Sequence, residues 1–139
     1  MRFMIIVKND PKSEVRPPKP EMFESMGRYN QSLVDAGILL AAEGLSGSKD
    51  GALVTYKNGK TTVKDGPFAE AKELVAGFWI IQVKSKDEAI EWAKRIPLDD
   101  GETVEVRRVA EISDFEGVMP AETMAQEEAM RAEISGKSN

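Results

Sequence analysis

Seven side chains mark where this chain could do chemistry. Two are carboxylates, Asp65 and Glu43, placed to act as acid or base. Five could hold a ligand: Arg28, Tyr29, Phe68, Lys72 and Trp79. The selection follows from what is missing, because the 139 residues include no histidine and no cysteine. That excludes Ser-His-Asp and Cys-His machinery, imidazole metal ligands, thiolate zinc sites and disulfides. Proton transfer falls to Asp, Glu, Lys, Tyr or water. The reaction that remains is removal of a proton alpha to a carbonyl by Glu43 or Asp65, with Lys72 or Arg28 steadying the enolate. A carboxylate doing this work needs burial to tune it toward neutrality.

Each candidate also has an ordinary reading. Asp65 opens the run Asp65-Gly66-Pro67-Phe68, where an Asx-turn, a permissive glycine and a fixed proline φ would shape a loop and press Phe68 onto the body of the domain. Glu43 ends the apolar run Ile38–Ala42 directly before Gly44. That suits a site at a strand end and equally a hydrogen-bonded terminus or salt bridge. Lys72 stands among Glu70 and Glu73 and reads as a solvated face or as an anion anchor. Tyr29 lies on the apolar face of a helix, where core packing is preferred and its hydroxyl needs a partner. Arg28 beside it could reach a carboxylate. Trp79 and Trp92 read as core. Phe78 and Trp79 alternate across one strand, so one faces the helices and the other the opposite side of the sheet. Thr103, Glu105 and Arg107 share a face of the last strand, as an interface network or a solvated surface. No EF-hand spacing is present, and Gly44-Leu45-Ser46-Gly47 precedes a hairpin and not a helix, so no metal, phosphate loop or cofactor is implied.

The elements that must position these residues can be read in order. Phe3–Val7 is a short apolar run, expected as a central strand. The stretch from Asn9 to Pro20 holds four prolines and is expected to be non-helical. Met22, Met26, Tyr29, Leu33 and Ala36 recur at helical spacing, with Pro20 at the start and Gly37 at the C-cap. Ile38–Ala42 is a second strand. Leu53–Lys57 and Lys60–Lys64 flank Asn58-Gly59, the strongest short hairpin signal. Gly77–Val83 is the next apolar strand. Ser85 with Glu88 forms a capping box for a helix through Ile96, and Thr103–Arg107 alternates as a last strand. Beyond Ile112 the composition shifts, and Pro120 could open a helix through Ile134 with a thin apolar stripe, an add-on laid across a partner or a frayed tail. The domain is thus placed at 1–112, with a partly helical extension at 113–139.

With the hairpin set aside, the order is βαββαβ, an α+β ferredoxin-like fold with both helices on one face of the sheet. The first and third strands are too apolar to leave the other face in water. A homodimer through that sheet face, closing a barrel, is the expected cover.

The net charge of −5 argues against nucleic-acid binding, which needs clustered Lys/Arg. The one basic excess, Lys8, Lys12, Arg16 and Lys19, is diluted by acids and reads as a solvated loop. No apolar run approaches a membrane span, and no signal-peptide pattern is present, so a cytoplasmic protein is expected.

At this point a resemblance enters. Asp65-Gly66-Pro67-Phe68-Ala69-Glu70-Ala71-Lys72-Glu73, followed by Gly77-Phe78-Trp79, resembles the signature of the YCII-related, or DGPF-domain, family. Phe3-Met4-Ile5, Gly37-Ile38-Leu39, Glu43-Gly44-Leu45, Glu91-Trp92-Ala93 and Val104-Glu105-Val106-Arg107 stand in the matching order, from about Met1 to Ile112. The resemblance implies a dimeric α/β barrel and little about activity. Some relatives accompany sigma-factor-like regulators, and others resemble small isomerases and dehydrochlorinases. A His-Asp pair proposed as catalytic in one branch has no counterpart here. The expectations therefore run, in order, to a small-molecule-binding or regulatory module taking a small aromatic or carbonyl ligand, a cofactor-free lyase or isomerase, and an interaction domain.

Overall fold

The structure, a computed structural model, describes residues 1–137. It is a mixed α+β protein with antiparallel sheets and four helices. The chain divides into two compact units, Met1–Arg108 and a second beginning at Val109.

The first unit is built on a four-stranded sheet in the order β2-β5-β1-β6. Its strands are β1 (Arg2–Asn9), β2 (Leu39–Gly44), β5 (Leu74–Gln82) and β6 (Thr103–Arg108). All three pairings are antiparallel, with β1 flanked by β5 and β6 and β2 on the outer edge of β5. The two central strands are the apolar runs, and Phe3, Ile5, Trp79 and Ile81 are buried on their helix side. Strands β3 (Ala52–Lys57) and β4 (Lys60–Asp65) form a separate two-stranded sheet. Asn58 and Gly59 both take positive φ, 52° and 74°, which the tight turn demands.

Helices α2 (Pro20–Asp35) and α3 (Lys86–Ala93) pack on one face of the four-stranded sheet. Their buried residues Tyr29, Leu33, Ala89 and Ala93 meet Phe3, Ile5, Trp79 and Ile81 from the strands. Gly37, at φ 72°, ends α2. The Ile38 N–H returns to Leu33 O at 3.2 Å, closing the cap as the sequence predicts. Ser85 caps α3 by accepting from Glu88 N at 3.1 Å. The Glu88 carboxylate returns to Lys84 N at 2.9 Å, one residue earlier than a capping box requires.

The expectation for the proline-rich stretch fails. The proline-rich stretch contains a short helix, α1 (Pro11–Glu14). Asp10 caps it, its Oδ1 accepting from Ser13 N at 2.7 Å, and that bond holds the Asp10 carboxyl below the usual range. Pro11 sits at the first position, where its missing N–H breaks no helical bond.

Tyr29 is the core's polar risk. It is buried, and its hydroxyl donates to Trp92 O at 2.9 Å. Burial pushes its pKa from 10.0 up to about 12, against the opposing charge of Arg95. The folded pKa lies above the unfolded one, so this stability is whole below pH 10 and drains as pH rises toward about 12. Across that window the parent should lose about 2 kcal/mol more than Tyr29→Phe in urea titrations. Equal losses would show that Tyr29 is not the group responsible.

In the second unit, a 3-10 turn at Ile112–Phe115 precedes α4 (Ala121–Gly136). The turn is closed by a capping box between Glu111 and Asp114. Helix α4 starts one residue after Pro120, contains no buried residue and places Glu122 in its first turn. Among the described residues no helix is long and apolar enough to cross a membrane.

Candidate functional site

The structure places five of the seven candidates in three clefts and the core and leaves Arg28 and Asp65 outside them. Glu43 and Trp79 share one cleft, of about 260 Å³, where β2 ends beside β5 and α2. Phe68 lines a second, Lys72 a third, and Asp65 lines none of the three. Arg28 is exposed on α2, its Nη2 donating to Ser25 Oγ at 3.4 Å. Tyr29 belongs to the core.

Strand register explains the first cleft. Ala42 pairs with Trp79 and Glu43 with Phe78, so Glu43 and Phe78 lie on the face opposite the helices. Gly44 faces Gly77, where an added Cβ would come within 2.8 Å of Glu43 O. The two backbones close tightly, and the space left beyond them is walled by Val7, Met26, Phe78 and Trp79. Glu43 and Asn30 are its two polar lining residues, Asn30 from α2 and Glu43 from the edge of β2 with its side chain turned to the other face. Trp79 Nε1–H donates to Asn30 Oδ1 at 2.8 Å, and its ring meets Tyr29 edge-on at 5.6 Å. An indole N–H can only donate, so Asn30 presents its oxygen to Trp79 and keeps two N–H donors outside that bond. Asn30 was invisible to motif reasoning. The available signal was that a buried Trp79 needs an acceptor, and Asn30 sits on the helix that covers it.

The second cleft, of about 370 Å³, is bounded by Glu14, Ser48, Phe68 and the start of β5. Ser48 organises it. Glu14 accepts from both its N–H and its hydroxyl, the latter at 2.7 Å, and Ser48 Oγ accepts from Phe68 N at 3.0 Å. Gly66 N donates to Gly51 O at 2.8 Å. The Gly66–Pro67 peptide is cis. The loop is thus shaped through Ser48 and Glu14, and the expected Asx-turn bond at Asp65 is not formed. Phe68 does press inward: its ring lies about 3.6 Å from where a Cβ on Gly51 would stand.

The third and largest cleft, about 520 Å³, gathers Lys8, Arg16, Lys19, Lys72 and several carboxylates. Of the basic stretch, Lys8, Arg16 and Lys19 line this cleft, and Lys12, Arg16 and Lys19 are exposed. Lys8 is already satisfied, by Glu105 at 2.7 Å and Glu73 at 3.3 Å. The Lys8 hydrogen bond holds the Glu105 carboxyl below its usual range, helped by Arg107, and Lys8 itself is raised. Glu105 and Arg107 therefore form a polar network on their face of β6. Lys72 and Arg28 line no part of the Glu43 cleft, so neither is placed to steady an enolate formed there. Among the described residues no group of three or more carboxylates is gathered to hold a metal ion.

The fold and its clefts define a small antiparallel α+β domain whose ligand-sized spaces contain neither imidazole nor thiol. The YCII-related domain matches residues 1–113, and the chain belongs to that family. An uncharacterized protein of Rhizobium meliloti (strain 1021) is 34% identical over 73 residues, 52% of this chain and 59% of that protein's length.

Proposed function

We propose that the protein is a small-molecule-binding module whose ligand sits in the Glu43 cleft, between helix α2 and the edge of a ferredoxin-like sheet whose other face pairs with a second copy to close a barrel. The carrying observation is the lining: apolar walls with Asn30 inside and Glu43 at the edge of β2 as the two polar residues. That pattern suits a flat, apolar ligand with a carbonyl for the Asn30 N–H donors and, where it reaches round the edge of β2, an O–H or N–H for the Glu43 carboxylate. The strand order β2-β5-β1-β6 supports the ferredoxin-like reading. Half-buried Met4, Ile6, Phe78 and Ile80 on the helix-free face support sheet-to-sheet pairing.

The test uses small aromatic ketones and aldehydes, with and without a ring hydroxyl, in thermal-shift and calorimetric titrations. Hydroxylated ketones should stabilise the protein, and Glu43→Gln should weaken them about tenfold, roughly one hydrogen bond to a charged group. No stabilisation by any of them sinks the reading. Light scattering should give twice 15.3 kDa, and Phe78→Asp should halve that mass.

A second reading rests on the same pair of side chains. On a ligand lying round the edge of β2, Glu43 would remove a proton alpha to the carbonyl, and Asn30 would donate to the enolate oxygen. Exchange of the ketone's alpha hydrogens into D2O, abolished by Glu43→Gln, selects this over simple binding.

A further inference from the structure

We infer that the cleft at the end of the four-stranded sheet, between β1 and the chain leading into α2, binds a short zwitterionic peptide with its carboxylate at one pole and its ammonium at the other. This cleft is the largest of the three, about 520 Å³, and the Glu43 reading leaves it unused. Several of its charges are already matched. Lys8 is held by Glu105 and Glu73, Asp10 accepts from Ser13 N at 2.7 Å, and Glu102 accepts from Asp99 N at 3.3 Å. Five others are not. Among the described residues the side chains of Arg16, Lys19 and Lys72 enter no ion pair, and neither do those of Asp99 and Asp100. All five residues line the cleft and are exposed.

The fold sorts these charges to opposite sides. Helix α2 packs over the β5 and β2 side of the sheet, where Tyr29 and Asn30 meet Trp79, and α3 packs over β6 and β1. Lys19 stands at the start of α2, and Lys72 leads into β5 through Leu74, which pairs with Asn9. Asp99 and Asp100 follow α3 and lead into β6 through Thr103, which pairs with Lys8. The basic and acidic poles therefore flank the end of β1, two strand spacings or about 10 Å apart. Arg16 is joined to Lys19 through Pro17 and Pro18, whose fixed φ shapes that wall before any ligand arrives. Three residues of extended chain also cover about 10 Å, so a tripeptide with free ends bridges the poles. An inorganic anion or a lone ammonium would meet only one of them. A peptide further carries N–H donors between its ends. Asn9 lines the cleft between the poles, and its side-chain oxygen is buried with no donor, a costly state. A turn of that amide toward the cleft lets a peptide N–H meet it.

The test titrates the full chain with trialanine, N-acetyl-trialanine and trialanine amide, by calorimetry and NMR at low salt, where exposed charges act most strongly. Trialanine should bind in the millimolar range, and each capped form should bind about tenfold more weakly. In Asp99→Asn with Asp100→Asn, the gap between trialanine and its N-acetyl form should close. In Arg16→Gln with Lys19→Gln and Lys72→Gln, the gap between trialanine and its amide should close. Four results overturn the proposal. One is trialanine that gives no heat and moves no amide signal at millimolar concentration. Another is an N-acetyl form that binds the parent as tightly as trialanine, which would leave an anion site only. The third is an amide that does so, which would leave a cation site only. The last is a variant that keeps the parent's melting temperature and leaves its gap open. Should a variant unfold, the capped peptides on the parent chain decide alone.

Discussion

Gly66→Ala is expected to prevent stable folding of the first unit. A Cβ at position 66 would stand 1.7 Å from Ser48 O and 2.6 Å from Ser48 C, both backbone atoms. No rotamer relieves that overlap, because Cβ is fixed by the backbone. Ser48 cannot retreat either. Its N–H and hydroxyl are held by Glu14, its carbonyl accepts from Gly51 N at 2.9 Å, and it is buried. Displacing it breaks several of these bonds together and also frees Phe68 N. The cost should exceed about 4 kcal/mol, at the extreme of single substitutions and comparable with the whole stability of a small domain. Gly27→Ala is the control. It lies within α2 with nothing within 4 Å of the added Cβ, so it should stabilise by about 0.5–1 kcal/mol. Urea denaturation followed by circular dichroism compares the two. A Gly66→Ala midpoint close to the parent's would mean that the Ser48–Gly51 turn is not seated against residue 66 as described.

That contrast shows what a sequence displays and what it conceals. The central strands were legible because apolar runs have few other uses, and the hairpin because Asn58-Gly59 fits one turn. The end of α2 was legible because Gly37 takes a φ that few residues tolerate. These signals are local. The links that hold the clefts together are not. Ser48 and Glu14 are 34 positions apart, and Trp79 and Asn30 are 49 apart. Neither pair has a spacing that a helix or strand would reveal. Lys8, Arg16 and Lys19 read as a diluted charge run because the sequence does not show that Lys72 is folded back beside them. The missed α1 is a milder case. Its prolines argued against helix in general, yet Pro11 stands at the one helical position where proline costs no hydrogen bond.

Trp79→Ala joins stability to function most directly. Trp79 is 5% exposed, meets Tyr29 edge-on and donates to Asn30. Removing the indole forfeits its buried area, leaves a cavity beside Tyr29 and strips Asn30 of its donor. Such truncations cost about 3–5 kcal/mol, so the variant should be marginal at 37 °C and testable only in the cold. Trp79→Phe separates the contributions. It keeps most of the apolar packing and loses the hydrogen bond, for about 1–2 kcal/mol. In the binding assay the two should also diverge. Trp79→Phe should retain aromatic ketones with modest loss, because the cleft keeps a flat wall. Trp79→Ala should lose small ligands and favour bulkier ones that refill the space. Fluorescence makes the effect traceable to one residue, since Trp79 and Trp92 are the only indoles. Trp92 is half-buried, and Arg95 lies over its ring at 4.4 Å. In a Trp92→Phe background, ligand added to the Glu43 cleft should still change the emission. In Trp79→Phe, with Trp92 as reporter, the change should vanish. If the response instead follows Trp92, the ligand lies elsewhere, and the Glu43–Asn30 cleft is not the binding site.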